Sequence, residues 1–316
     1  MEYVPSVPSD SDFNREQITQ RVSELADRNI YIGTSSWKYE GWMGQLYSPD
    51  RYSYRGKVAK SRFEAGCLKE YAEVFKTVCV DAGFYRFPEE RYVEKLSNQV
   101  PDGFKLSFKV TDEITIKHFP NHARHGERAG KANTNFLNAE LFTKAFLAPL
   151  SPHREKIGVL MFEFGHLYKR DFEQGRDFIA ALDSFFAELP PDWQYGVEIR
   201  NKEFLRPEYF EVLHRHGVTH VFNSWVAMPP VEEQLAIKGS FTADFFASRF
   251  LLRPGRKYEE AVQSFSPYES VQDPYPEGRQ AIKDLASIKT QRPSFIFVNN
   301  RLEGNALGTI AGALSR

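Results

Sequence analysis

The sequence predicts an α/β protein, a (β/α)8 parallel barrel preceded by a helical extension at its N-terminal side. Three observations predict it. Eight short apolar segments recur along the 316 residues, each followed by a helical pattern or by room for one, and strict alternation implies parallel strands joined by right-handed crossovers. Eight such units over about 290 residues match a barrel of typically about 250 residues with insertions. Finally, no Gly-x-Gly-x-x-Gly turn follows the first apolar segment and no composition break splits the chain, which disfavours a doubly wound open sheet.

The elements follow in order. Residues 1–29 read as an arm and a helix: Pro5 and Pro8 sit among Ser and Asp, and Ile18, Val22 and Leu25 then share one helical face. Residues 30–316 read as a single barrel domain. "NIYIGTS" is the first strand and "SRFEAGCLKEYAEVF" its helix; "TVCVDAGFY" is the second, with a helix through "EERYVEKLSNQV". "FKLSFKV" with "TNFLNAELFTKAFLAPL" forms the third unit, and "IGVLMFEF" with "FEQGRDFIAALDSFFAEL" the fourth. "YGVEIR" precedes "RPEYFEVLHRHG", and "VTHVFNSW" precedes the weaker "VEEQLAI". "DFFASRFLL" runs into a long connection before "EGRQAIKDLASIKTQ", and "SFIFVNN" leads to a terminal helix through "EGNALGTIAGAL". Two connections read as insertions: residues 117–133 after the third strand and 253–278 after the seventh.

Composition narrows the function classes. The chain has 41 basic and 42 acidic side chains and a formal net charge of −1, which argues against coating DNA or lying on anionic lipid. Cys67 and Cys79 are too few for a disulfide framework and lack metal-type spacing, so reduced thiols in a cytoplasmic protein are expected. The start "MEYVPSVPSD" has no basic region followed by an apolar one. No apolar run approaches the roughly 20 residues needed to span a bilayer, so a soluble protein without membrane contact is expected. The 27 Phe and 15 Tyr point first to a core packed with large rings, and second to aromatic platforms for a planar or sugar ligand.

In a barrel, strand side chains alternate between the interior and the helix layer, and sites form at the strands' C-terminal ends. The apolar set Phe104, Leu106, Phe108 and Val110 turns Lys109 inward, and Val197 and Ile199 do the same for Glu198 and Arg200. Glu163 shares a face with Val159 and Met161, and Arg249 with Phe245 and Ala247. Asp81, Asn223, Ser224, Asn299 and Asn300 stand where strands end. Charges at inward positions are costly unless paired, so Lys109, Glu163, Glu198, Arg200 and Arg249 are expected to converge. They form either a self-satisfied plug or a site.

In a site, the three cations outnumber Glu163 and Glu198, and guanidinium groups suit carboxylate or phosphate. A small anionic ligand is therefore expected, with Glu198 the candidate acid/base, oriented by Arg200, and Lys109 beside it. Lys117, Arg124 and Arg128, in the first insertion, could cover such a ligand. His118, His122 and His125 have spacings open to a metal, but a Pro- and Gly-containing loop offers no fixed geometry, so no metal is assigned. His214 and His216 close a helix, and Asp171, Glu173 and Asp177 read as a solvated helix start. No cofactor is expected, because Gly-x-x-x-x-Gly-Lys, His-Glu-x-x-His and Gly-x-Ser-x-Gly are all missing from the sequence.

Six segments together resemble, in order, the YecE-like family known as domain of unknown function 72. They are "YIGTSSWKYEGWMGQLYSP", "FKTVCVDAGFYRFP", "PDGFKLSFKVTDEIT", "YGVEIRNKEFL", "TADFFASRF" and "FIFVNNRLEGNA". The resemblance runs from about residue 30 to the C-terminus and implies a TIM-barrel-like fold. It marks Thr34, Ser35, Trp37, Phe84, Tyr85, Lys109, Glu198, Arg200, Arg249, Asn299 and Asn300 as matching motif positions, without supplying an activity. The chain departs from the family pattern at Cys79, Asp81 and Gly83, where Glu, Asn and Thr are usual. It departs again at Glu163, where Gln is usual, and at Leu251, where a His is frequent.

The expected ligand-binding set is thus Thr34, Ser35, Trp37, Asp81, Tyr85, Glu163, Arg200, Asn223, Arg249, Asn299 and Asn300. Three functions compete: an enzyme or binder for a small anionic molecule, a nucleic-acid-binding module using the basic loop and the aromatics of "SSWKYEGW", and a glycosidase pairing Glu163 with Glu198. Nucleic acid is the less favoured partner, and oligomeric state is not readable.

Overall fold

The computed structural model describes residues 13–315; the Pro5 and Pro8 arm lies in 1–12, outside the described residues. Eight parallel strands close into a barrel. They are β1 (Ile30–Thr34), β2 (Thr77–Val80), β3 (Lys105–Lys109) and β4 (Ile157–Phe164), then β5 (Tyr195–Ile199), β6 (Thr219–Ser224), β7 (Ala247–Phe250) and β8 (Ser294–Val298). Each pairs with its sequence neighbours, and β1 closes the ring by pairing with β8 from Ile30 opposite Ser294 to Thr34 opposite Val298. The eight expected strands are these eight.

The period of two along each strand builds two cores. Cys79, Val159, Met161, Val221, Phe245, Ala247, Phe295 and Phe297 fill the barrel interior. Ile30, Ile32, Leu106, Phe108, Val197 and Ile199 point the other way, into the layer shared with the helices. Most of the rings pack there: Phe142, Phe162, Phe185, Phe186 and Tyr195 form one connected group. Close backbone approaches need glycine. A Cβ on Gly33 would stand 2.1 Å from the Thr77 carbonyl oxygen of the neighbouring strand, so the "IYIGT" strand admits no side chain there.

Helices follow the strands as the pattern predicts, among them Lys60–Val74, Glu90–Ser97, Gly175–Ala187, Pro207–Arg215, Val231–Ala236, Pro276–Ser287 and Ala306–Leu314. Local chemistry sets their starts. Gln174 and Asp177 form a reciprocal capping box, and Asn305 accepts from the Gly308 amide, each such cap being worth about 1 kcal/mol. The N-terminal helix, Arg15–Ala26, is capped by Asn14 and buries Ile18, Val22 and Leu25 in the same outer core as the barrel helices. One helix escaped the pattern reading: Tyr258–Phe265 lies inside the connection after β7, where its eight residues are too short for a clear period. No helix among the described residues is long and apolar enough to cross a membrane.

Candidate functional site

The C-terminal ends of the strands carry the polar side chains the alternation placed inward. Arg249 on β7 donates from Nη1 to Glu163 Oε2 at 2.5 Å and to Glu198 Oε2 at 2.7 Å. Just past β5, Arg200 brings Nη2 to 2.5 Å from Glu198 Oε1 and to 3.2 Å from Glu163 Oε2, and gives Nη1 to Asn223 Oδ1 at 3.0 Å. Lys109 Nζ lies 3.0 Å from Glu163 Oε2 and 3.9 Å from the centre of the Phe84 ring. Asp81 Oδ1 reaches Arg249 Nη2 at 3.5 Å. Asp81 thereby evens the balance. Lys109, Arg200 and Arg249 face three carboxylates, so the excess of positive charge expected on this floor is not present.

Burial and charge act in opposite directions on Glu163. Burial pushes its pKa up, but Lys109, Arg200 and Arg249 together hold it well below the usual carboxylate range. Burial pushes the Arg249 pKa down, but the carboxylates of Glu198 and Glu163 together with its other neighbours hold it well above the usual range, so it stays charged. The glycosidase geometry fails on the same contacts: both carboxylates converge on one guanidinium nitrogen, which leaves no space for a sugar ring between them. Glu198 has no exposed surface and does not line the cavity above. The acid/base role expected of it is corrected to one of holding Arg200 and Arg249.

Above this floor opens a cavity of about 800 Å³. Its wall carries Lys109, Lys117, Arg124, Arg170, Arg200, Arg249 and Arg301 against Asp81, Glu163, Asp171 and Glu259, so the positive excess lies on the rim rather than on the floor. Lys117 and Arg124 come from the insertion after β3, as expected. Arg128 does not line it and pairs with Glu113 instead. Tyr85, Tyr168 and Tyr258 line the cavity while exposing 63, 56 and 44% of their surface, an unusual freedom for rings in a chain that buries most of them. Arg170 and Arg301 lie over the Tyr168 and Tyr258 rings, and Arg200 lies 4.2 Å from the centre of Trp225.

Several expected residues lie elsewhere. Thr34 has the same parity as Ile30 and Ile32, so it faces the helix layer, where its Oγ1 meets the Tyr71 hydroxyl at 2.9 Å. Trp37 is buried in the outer core, and its carbonyl accepts from the Tyr47 hydroxyl. Ser35 is buried beside β8, its amide donating to the Val298 carbonyl. None of the three lines the cavity, so their expected place in the ligand-binding set is corrected. Asn223 acts through Arg200. Asn299 and Asn300 accept from the amides of Arg301 and Ala306; they shape the loop that delivers Arg301 and start the last helix.

The residues that pattern reading missed come from loops. His118 Nδ1 lies 2.7 Å from Asp171 Oδ1, and Asp171 Oδ2 accepts from the Tyr168 amide at 2.7 Å. Asp171 is therefore no solvated helix start. The insertion is firmly anchored as well: Asn133 donates to the Lys117 carbonyl and Phe119 to that of Lys131. His122 accepts from the Arg124 amide, and His125 is buried beside Asp112 and accepts from Arg124 Nε, so both are engaged by Arg124 and not by the Asp171 that faces His118. Among the described residues no group of three His, Cys, Asp or Glu is arranged to hold a metal.

Comparison with known proteins agrees with this architecture. Residues 31–314 match the family described as protein of unknown function DUF72. The UPF0759 protein YecE of Escherichia coli is 26% identical over 197 residues, a match that spans 61% of this chain and only 58% of that relative. Crystal structures of DUF72 family proteins from Thermotoga maritima and Enterococcus faecalis share the fold, with TM-scores of 0.57 and 0.58 at 18 and 17% identity. They cover 90 and 91% of this chain and 96% of each neighbour. The chain belongs to the DUF72 family of proteins of unknown function.

Proposed function

We propose that the C-terminal mouth of the barrel binds a small anionic molecule, phosphorylated or carboxylated, whose body lies against the rim tyrosines. One observation carries this reading: seven basic side chains against four carboxylates on the wall of one cavity of about 800 Å³. The volume suits a metabolite-sized ligand, and guanidinium groups suit its anionic end. The neutral floor supports the site by fixing Arg200 and Arg249 in place. A second reading has its own support, because exposed tyrosines interleaved with arginines also suit a single-stranded nucleic acid, with bases stacked on the rings.

Thermal-shift titration tests both. Inorganic phosphate, citrate, a sugar phosphate and a short oligodeoxythymidylate are each compared with sodium chloride at matched ionic strength. The midpoint should rise with the small anions, since a ligand that binds only the folded state stabilises it by mass action. Arg124→Ala combined with Arg301→Ala should abolish the rise with little change in the unliganded midpoint. A rise confined to the oligonucleotide favours the second reading, and no rise with any of them removes both.

A further inference from the structure

We infer that His118 and Asp171 form an acid/base dyad on the wall of this mouth, with His118 exchanging the proton and Asp171 as its positioning residue. The inference deepens the anion-binding reading of the same cavity. It starts from an asymmetry in burial: the Asp171 side chain exposes 5% of its surface and that of His118 27%, and both line the cavity. Asp171 Oδ2 accepts from the Tyr168 amide, and its Oδ1 lies against His118 Nδ1, each at 2.7 Å. A carboxylate oxygen is an acceptor and an imidazole carries one N–H, so the pairing assigns that proton to Nδ1. That tautomer leaves the Nε2 lone pair as the basic position of the ring, on a side chain that borders the cavity.

The backbone under His118 is held as well. His118 forms an antiparallel bridge with Ala132, and the flanking Phe119 and Asn133 amides donate to Lys131 and Lys117 at 2.9 and 2.8 Å. Lys117 and Arg170, one residue from each partner in sequence, line the same cavity, so the base and these cations border one space. A hydroxyl or water next to Nε2 gives up its proton there, and its oxygen keeps the electron pair of the broken O–H bond. The imidazolium that forms is stabilised by Asp171 across Nδ1–H, the role a carboxylate plays beside a catalytic histidine. The proton is then available to a leaving oxygen, and no co-reactant is needed. By contrast, His122 and His166 line the cavity without an acidic partner among the described ion pairs, which makes them internal references.

The test alkylates the intact protein with iodoacetate or iodoacetamide and maps the products by mass spectrometry. The ring nitrogen forms its bond to carbon as iodide leaves. His118 should react at Nε2 at least tenfold faster than His166, and Asp171→Asn should bring it down to the His166 rate while His166 itself is unchanged. Preference for iodoacetate over iodoacetamide, with protection by inorganic phosphate, reports the anion site separately. If that preference is missing while the Asp171→Asn effect persists, the anion reading fails and the dyad stands. His118 reacting no faster than His166, or indifferent to Asp171→Asn, overturns the dyad. Nitrogen NMR of the parent's histidines decides the matter even where Asp171→Asn disturbs the loop: an Nδ1–H tautomer at His118 is expected, and an Nε2–H tautomer overturns the proposal.

Discussion

Arg249 Nη1 lies 2.7 Å from Oε2 of Glu198, a carboxylate with no exposed surface. The pair spans β5 and β7 across the barrel interior. It closes the top of an apolar core made by Phe245, Ala247, Phe297 and their neighbours. A buried ion pair is weak evidence for net stability, since desolvation offsets much of the attraction, but breaking it strands a charge. The floor therefore works as a fixed plug on which the mouth is built, and its upper surface, Glu163, Lys109 and Asp81, lines the cavity.

Removing Arg249 alone should cost about 3–5 kcal/mol, because Glu198 then keeps only Arg200. Replacing the pair together, Glu198→Gln with Arg249→Met, should recover part of that loss. Urea unfolding of the parent, the two single variants and the double variant gives the coupling directly. Additive losses would show that the two side chains do not act as a pair.

His220 predicts a pH dependence with a definite sign. It is fully buried in the helix layer, beside the Tyr209 hydroxyl, and burial lowers its pKa to about 4. The unfolded chain binds the proton near pH 6.5, so stability is fully present above that pH and is lost between about 6.5 and 4 as the unfolded state protonates first. Between pH 7.5 and 5.0 the parent should lose roughly 2 kcal/mol more than His220→Phe. Equal losses in the two proteins would mean that His220 is protonated without unfolding.

Much of this was readable from the sequence, and the reasons are physical. A side-chain period of two, with Val197 and Ile199 facing the helices, leaves Glu198 and Arg200 no direction but inward, and the same logic carried Lys109, Glu163 and Arg249. Thr34 obeys that same rule: sharing parity with Ile30 and Ile32, it faces the helices and Tyr71. Nothing local distinguishes a wet ring from a packed one, so the sequence alone puts Trp37 in the ligand-binding set. Arg170, Asp171, Tyr258 and Arg301 stand on irregular backbone or a short helix, where no period fixes direction. The partner of Asp171 is 53 residues away in sequence, beyond any local pattern.

Gly33→Ala should be severely destabilising. Its Cβ would fall 2.1 Å from the Thr77 carbonyl oxygen, and the clash is with backbone of a neighbouring strand, which cannot rotate away. A loss of about 4 kcal/mol or more is expected, in the class reserved for core overpacking. Gly44→Ala is the control, since nothing lies within 4 Å of a Cβ there, although its φ of +78° adds backbone strain. A Gly33→Ala protein as stable as Gly44→Ala would show that β1 and β2 separate more readily than their spacing implies.

Glu163→Gln separates charge from structure at the mouth. Lys109, Arg200 and Arg249 overcome the upward push of burial and hold the Glu163 carboxyl well below its ordinary range. It is ionised at neutral pH, and its stabilisation is present above about pH 4.3 and lost as pH falls through its folded pKa. The variant should be less stable at pH 7 by roughly 1–3 kcal/mol, and that deficit should shrink under acid. Its effect on binding should have the opposite sign. Removing one of four carboxylates from a wall with seven basic groups deepens the positive potential, and a unit charge about 4 Å away at a surface-like dielectric is worth up to about 4 kcal/mol before screening. Screening at the open mouth reduces that, so inorganic phosphate should bind at least about fivefold tighter to the variant, with the gain fading at high salt. Calorimetric titration at two salt concentrations measures both effects. If phosphate binds no more tightly to Glu163→Gln, the anion bound through Arg124 and Arg301 lies out of reach of the floor charges.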